Sequence, residues 1–183
     1  VFRPADANEV AEAYRSSLRN PKQPAVMVLS RQNLPTLDRT NLGPANGVAK
    51  GGYILKEARG GEAECILIGT GSEIPLCLDA ADILDSDGIR TRVVSLPCWE
   101  LFAEQDDEYR EHVLPSNIPS RVACEAASGF GWEKWLGQKG TFIGMNGFGA
   151  SGPAKKLFEH FGITAEAVVA AARVLVVWFL SSS

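Results

Sequence analysis

The chain has 183 residues, 45% apolar and 22% charged, a globular composition with room for a sizeable core. Its net charge is −4 and it has no Lys/Arg clusters, which argues against nucleic-acid binding, because that affinity rests on many phosphate contacts. Only two histidines are present, His112 and His160, which argues against any site built from several imidazoles. The length fits one ordinary domain, or one domain plus a piece of another.

Residues 4–19 read as an amphipathic helix. Asp6 is placed as its N-cap with Glu9 three residues on, and Val10, Ala13, Tyr14 and Leu18 follow at helical spacing. Pro21 and Pro24 end it. The run Ala25-Val26-Met27-Val28-Leu29-Ser30 then predicts a buried, parallel strand. Its end delivers Arg31-Gln32. Ligands of open α/β sheets bind beyond the carboxyl ends of strands, so Arg31 sits either as an anion contact or as a solvated loop charge. Arg39 and Lys50 lie in the neighbouring loop, where they read either as additions to the same positive region or, preferably, as solvated charges.

Residues 32–52 carry Pro35, Gly43-Pro44, Asn46-Gly47 and Gly51-Gly52 with little periodicity, which suggests a domain boundary. A βα pattern repeats after it. Strands are predicted at 53–55, 65–69, 91–95, 121–125 and 141–145. Helices are predicted from Ser72 (as N-cap) to Asp87-Gly88, over 105–113, 132–136 and 153–161, and from Thr164 through Ala172. The resulting fold class is α/β: a mostly parallel sheet of about five strands flanked by helices, preceded by a helix–strand remnant of another α/β domain.

The turn Gly69-Thr70-Gly71-Ser72-Glu73 joins a strand to a helix. It fits a phosphate or nucleotide cradle, but also a plain tight turn with a Ser cap, since the full G-x-G-x-x-G is absent. Glu125 ends a buried strand and reads either as functional or as half of an ion pair with Arg121 or Lys134. His112 and His160 read as surface caps near helix ends. Asp79, Asp82, Asp85 and Asp87 read as a solvated helix face, and Trp99, Trp132 and Trp135 as packing or interface residues. Cys65, Cys77, Cys98 and Cys124 lack zinc-like spacing and read as buried thiols in a reducing compartment. No signal peptide is visible, and the seven-residue apolar run 174–180 is too short for a bilayer that needs about 20 residues. The chain begins without Met, so the expectation is that it starts inside a longer polypeptide.

Ordered matches along nearly the whole chain resemble transketolase. They are Phe2-Arg3-Pro4-Ala5-Asp6-Ala7-Asn8-Glu9, Leu29-Ser30-Arg31-Gln32, Leu34-Pro35-Thr36-Leu37-Asp38-Arg39, Gly51-Gly52-Tyr53-Ile54-Leu55 and Gly69–Glu73. They continue with Arg92–Phe102, Phe130-Gly131-Trp132-Glu133-Lys134, Phe148-Gly149-Ala150-Ser151 and Phe161-Gly162-Ile163-Thr164. The Cys-Trp-Glu-Leu-Phe variant is similar to plant, algal and cyanobacterial members.

The resemblance implies a dimer, dependent on thiamine diphosphate and Mg²⁺, that moves a two-carbon ketol unit between sugar phosphates. The cofactor's ylid attacks the ketose carbonyl and the thiazolium holds the resulting carbanion. It also implies that residues 1–45 are the tail of the pyrimidine-binding domain and 46–176 the C-terminal domain, with 177–183 an atypical tail. The diphosphate and Mg²⁺ domain and the catalytic histidines lie outside the chain, so the chain alone is expected to be inactive and to bind neither group. One residue carries over on a matched motif: Arg31, as the arginine for the substrate phosphate. No catalytic residue is assigned. The implied partners are sugar phosphates and a second copy of the parent, with no nucleic acid and no membrane, and the implied compartment is the chloroplast or the cytoplasm. Two other readings remain open: a small-ligand-binding regulatory module using the Gly69–Glu73 turn, and a purely structural assembly domain.

Overall fold

Five short segments rich in apolar residues form one sheet in the computed structural model, which describes residues 1–180. They are β1 (Tyr53–Lys56), β2 (Cys65–Gly69), β3 (Thr91–Ser95), β4 (Arg121–Ser128) and β5 (Thr141–Met145), in the order β1-β3-β2-β4-β5. The pairs β2–β3, β2–β4 and β4–β5 are parallel. Only β1 is antiparallel, with Tyr53 opposite Ser95. The mostly parallel five-stranded sheet expected from the sequence is therefore present.

Side chains alternate across the strands and feed two cores. Cys65 and Leu67 of β2 point to one face with Val93, Val122 and Cys124. Ile66 and Ile68 point to the other with Val94 and Ala123. All five residues of β2 are buried, which explains why this strand reads as an unbroken apolar run.

Helices α1 (Ala7–Arg19), α2 (Ile74–Ser86) and α7 (Ala165–Leu180) cover the first face. Ile74, Cys77, Ala81 and Leu84 of α2 meet Val168, Val169 and Ala172 of α7, and Phe2, Ala5 and Ala13 join the same core. Helices α3 (Trp99–Ala103), α4 (Asp107–Val113) and α5 (Glu133–Leu136) cover the second face. There Phe102, Val113, Trp132 and Trp135 are buried. The Trp99 ring stands edge-on to Trp132 at 4.9 Å, so these tryptophans pack a core rather than an open surface. The short α6 (Ala154–His160) has no buried residue. The stretch Ala154–Phe179 is long and apolar enough to cross a membrane by length and composition alone. In the fold it is two helices, α6 and α7, separated by a turn at Gly162 (φ 69°).

Local chemistry explains most element ends. The Asp6 side chain caps α1 by accepting from the Glu9 N–H at 2.8 Å. Glu9 reaches back one residue beyond the usual capping box, to the Ala5 N–H at 2.7 Å. Asp106 caps α4 through the Tyr109 N–H, and Thr164 accepts from Ala167 ahead of α7. Gly51 ends a 3₁₀ turn over Ala45–Lys50 with φ 81°, a left-handed conformation that suits glycine.

Two elements differ from expectation. Residues 25–30 form no strand, only an isolated parallel bridge between Phe2 and Met27. A parallel strand is stabilised by neighbours on its edges and faces; among the described residues only Phe2 pairs with this segment, and only Met27 of it packs against the core. Val26, Val28 and Leu29 are accordingly 57%, 46% and 52% exposed. Ser72 does not cap α2: a 3₁₀ turn over Gly71–Glu73 precedes the helix, and the Ser72 hydroxyl donates to Glu73 instead. Of the expected 177–183 tail, Val177–Leu180 continue α7, while residues 181–183 lie outside the described residues.

Candidate functional site

The extended segment 25–30 is held by two backbone bonds to Phe2, Phe2 N–H to Val26 O and Val28 N–H to Phe2 O, both 2.8 Å. It leads directly to Arg31. Arg31 is exposed and, among the described residues, makes no hydrogen bond or ion pair. With Gln32 it lines a cavity of about 930 Å³ whose other lining is residues 149–154 together with Leu157 and Phe158 of α6. An uncommitted guanidinium on a cavity of that size is suited to bidentate capture of an anion. The loop 149–154 follows β5, so a loop beyond a sheet strand meets the end of the extended segment 25–30 here.

The Gly69–Glu73 turn is not an open cradle. The Gly71 N–H donates to the Arg3 carbonyl at 2.9 Å and the Glu73 N–H to Thr70 O at 3.2 Å. Beside it Arg3 bridges two carboxylates, donating through Nη1 to Glu125 Oε1 and through Nη2 to Glu73 Oε2 at 3.3 Å. Glu125 also accepts from the Thr70 hydroxyl and from Trp132 Nε1, both at 2.8 Å. Glu73 accepts from the Ser72 hydroxyl at 2.7 Å. Burial pushes the Glu73 carboxyl above its ordinary range, partly countered by the Arg3 charge. The partner of Glu125 is thus Arg3, neither Arg121 nor Lys134. Arg121 instead donates to the carbonyls of Leu114, Pro115, Ile118 and Trp135, and Lys134 lies over the Trp135 ring. Every carboxylate oxygen here is engaged by the protein's own groups, so this cluster fastens the N-terminal segment to the sheet.

A second polar cluster does the same for α1. Glu9, fully buried, accepts from the Tyr53 hydroxyl and the Ser95 hydroxyl at 2.7 Å each. Arg39 donates to the Tyr53 hydroxyl at 2.8 Å, to Gly43 O at 2.9 Å and to Asp6 Oδ1 at 3.1 Å. Burial raises the pKa of both Glu9 and Tyr53. Arg39 is therefore a half-buried clamp rather than the solvated charge its loop suggests. The fold also places Lys50 at 3.9 Å over the Tyr109 ring.

The remaining candidates are structural. His112 and His160 are exposed in the last turns of α4 and α6, as expected. The acidic face of α2 is not wholly solvated: Lys56 bridges Asp82 and Asp85 at 2.8 Å each, and Arg173 pairs with Asp87 at 2.6 Å. All four cysteines are free and buried, and burial pushes the Cys65 thiol up to about 12. Among the described residues no group of three or more His, Cys, Asp or Glu side chains is placed to hold a metal ion. Arg3, Glu9, Glu73 and Tyr53 carry the polar interior. No periodicity marks them; the only local signal is the Asp6/Glu9 capping pair.

Comparison with known proteins gives this geometry a family. Residues 51–164 match the model of the transketolase-like TK C-terminal domain. The chain is 53% identical to transketolase-1, chloroplastic, of Arabidopsis thaliana over 174 residues, covering 94% of this chain and 23% of that protein. A transketolase structure from Leishmania mexicana superposes with a TM-score of 0.88 at 40% identity, covering 97% of this chain and 25% of that one. A Pichia stipitis transketolase in complex with sedoheptulose-7-phosphate superposes at 0.87 and 38% identity, covering 98% and 25%. The chain spans about a quarter of the length of the curated relatives it matches. With the family model covering residues 51–164 and the fold shared with solved transketolases, the chain belongs to the transketolase family.

Proposed function

We propose that the chain is the C-terminal part of a thiamine-diphosphate-dependent transketolase, which transfers a two-carbon ketol unit from a ketose phosphate to an aldose phosphate. Residues 1–45 are read as the end of the pyrimidine-binding domain and 46–176 as the C-terminal domain. The observation that carries the reading is Arg31: an exposed guanidinium without a protein partner among the described residues, on a cavity of about 930 Å³. It grips the phosphate tail of the substrate and so fixes the reacting carbons relative to the remainder of the enzyme. The Pichia stipitis relative is named as a complex with a sugar phosphate, which supports this substrate class.

Thiamine diphosphate, when bound in the parent enzyme, supplies the electron sink for the transferred fragment. Among the described residues no group of three or more His, Cys, Asp or Glu side chains is placed to hold the cofactor's metal. The chain's own residues do other work. The Arg3–Glu73–Glu125 and Glu9–Tyr53–Arg39 clusters hold the segment that presents Arg31 against the sheet. We further propose that the parent is a homodimer and that it resides in the chloroplast, like the relative from Arabidopsis thaliana; the cytoplasm is the alternative compartment.

The test is a turnover comparison with thiamine diphosphate, Mg²⁺, a ketose phosphate and an aldose phosphate. The full-length polypeptide is expected to turn over and the isolated chain is not. Turnover by the isolated chain, or none by the full-length polypeptide, overturns the proposal.

A further inference from the structure

The stretch 29–36 carries Arg31 and makes no hydrogen bond or ion pair among the described residues. It is fastened only at its two ends, and both fastenings run to residues 2–8. At the start the Val28 N–H donates to Phe2 O at 2.8 Å. At the end the Leu37 N–H donates to Asp6 Oδ2 at 3.0 Å, and the Leu37 carbonyl accepts from Asn8 Nδ2 at 3.3 Å. Two residues on, Arg39 Nη2 donates to Asp6 Oδ1 at 3.1 Å. Phe2 and Ala5 are buried in the core, so the fold fixes the spacing between the two fastenings.

Capping α1 accounts for one bond of the Asp6 carboxylate, the one from the Glu9 N–H. A cap needs a single side-chain oxygen, and a serine supplies it equally well. The bonds from Leu37 and Arg39 are a separate matter, because they reach 31 and 33 residues along the chain. The Asp6 side chain is fully buried, so water does not compete for them. We infer that Asp6 is a positioning residue for Arg31: it ties down the far end of the loop and thereby holds the guanidinium at its cavity. A loop tied at one end alone keeps far more freedom than one tied at both. A small displacement of a binding group weakens its contact strongly. The inference rests on the reading of Arg31 as the phosphate contact.

The experiment uses the full-length enzyme with the donor saturating and an aldose acceptor in phosphorylated and unphosphorylated form. Asp6→Ser keeps an oxygen to cap α1 but removes the carboxylate that reaches Leu37 and Arg39. It is expected to raise KM for the phosphorylated acceptor about threefold or more relative to the unphosphorylated one, with kcat little changed. Arg31→Ala is measured in parallel, alone and combined with Asp6→Ser. Since Asp6 acts through the guanidinium, the combined variant is expected to match Arg31→Ala alone. Should Asp6→Ser fail to fold, Asn8→Ala decides: it removes the bond to the Leu37 carbonyl, leaves the cap intact and is expected to shift the same ratio by a smaller factor. Equal changes for both acceptors, or an effect that multiplies with that of Arg31→Ala, overturn the positioning role. So does an unchanged ratio where Arg31→Ala raises it. An unchanged ratio in Arg31→Ala overturns the phosphate reading, and the positioning role with it.

Discussion

The Tyr53 hydroxyl donates to Glu9 Oε1 at 2.7 Å, joining residues 44 positions apart and locking α1 onto the edge strand β1. The bond is buried, and the same hydroxyl accepts from Arg39. Tyr53 thus relays a buried carboxylate to a guanidinium that is itself fixed on Asp6. The N-terminal segment carrying Arg31 is thereby held to the sheet by polar contacts as well as by Phe2 and Ala13.

This relationship has a pH signature. Burial raises the Glu9 pKa above its ordinary value near 4.5. The folded state then binds more protons than the unfolded state at pH values above 4.5, so stability falls as pH rises through the folded-state pKa. Glu9→Gln removes that dependence while keeping an acceptor for Tyr53 and Ser95. Urea unfolding of the chain across this window is expected to show a steeper fall with rising pH for the native chain than for Glu9→Gln. Parallel pH profiles would show that Glu9 has the same pKa folded and unfolded.

Arg3 gives a second, larger effect. It is the shared cation of Glu73 and Glu125, whose side chains are 0% and 9% exposed. Arg3→Ala leaves two buried carboxylates together without a counter-charge, which typically costs about 3–5 kcal/mol. The Arg3 side chain is 21% exposed, so solvent screening brings the expected loss below that range, to about 2–3 kcal/mol in urea unfolding. Adding Glu73→Gln to Arg3→Ala should recover part of it. A cost near zero, as for a surface ion pair, would show that the cluster is solvated.

Much of the sheet is legible in the sequence because strands buried on both faces need continuous apolar runs, as at Cys65–Gly69 and Arg121–Cys124. The Asp6 cap and the ends of α4 and α7 are legible because capping is local chemistry. The segment 25–30 shows the limit of that reasoning: its composition suits a buried strand, but the neighbours that would bury it are not among the described residues. Arg31 stands out by its position after an apolar run and by its Leu-Ser-Arg-Gln motif. The partners of Glu125 are illegible because Arg3 lies 122 residues away, and a polar contact at that separation leaves no periodic trace. Arg39 misleads for the same reason: a charge in a Gly/Pro-rich loop looks solvated until Tyr53 and Asp6 close around it.

The most direct test of the account is Arg31→Ala in the full-length enzyme, assayed with a phosphorylated acceptor and with an unphosphorylated acceptor of the same length. Loss of a charge-assisted contact worth roughly 1.5–3 kcal/mol should raise KM for the phosphorylated acceptor by about tenfold or more. The KM for the unphosphorylated acceptor should change little. Equal losses for both acceptors, or no change in either, would contradict the assignment of Arg31 to the substrate phosphate.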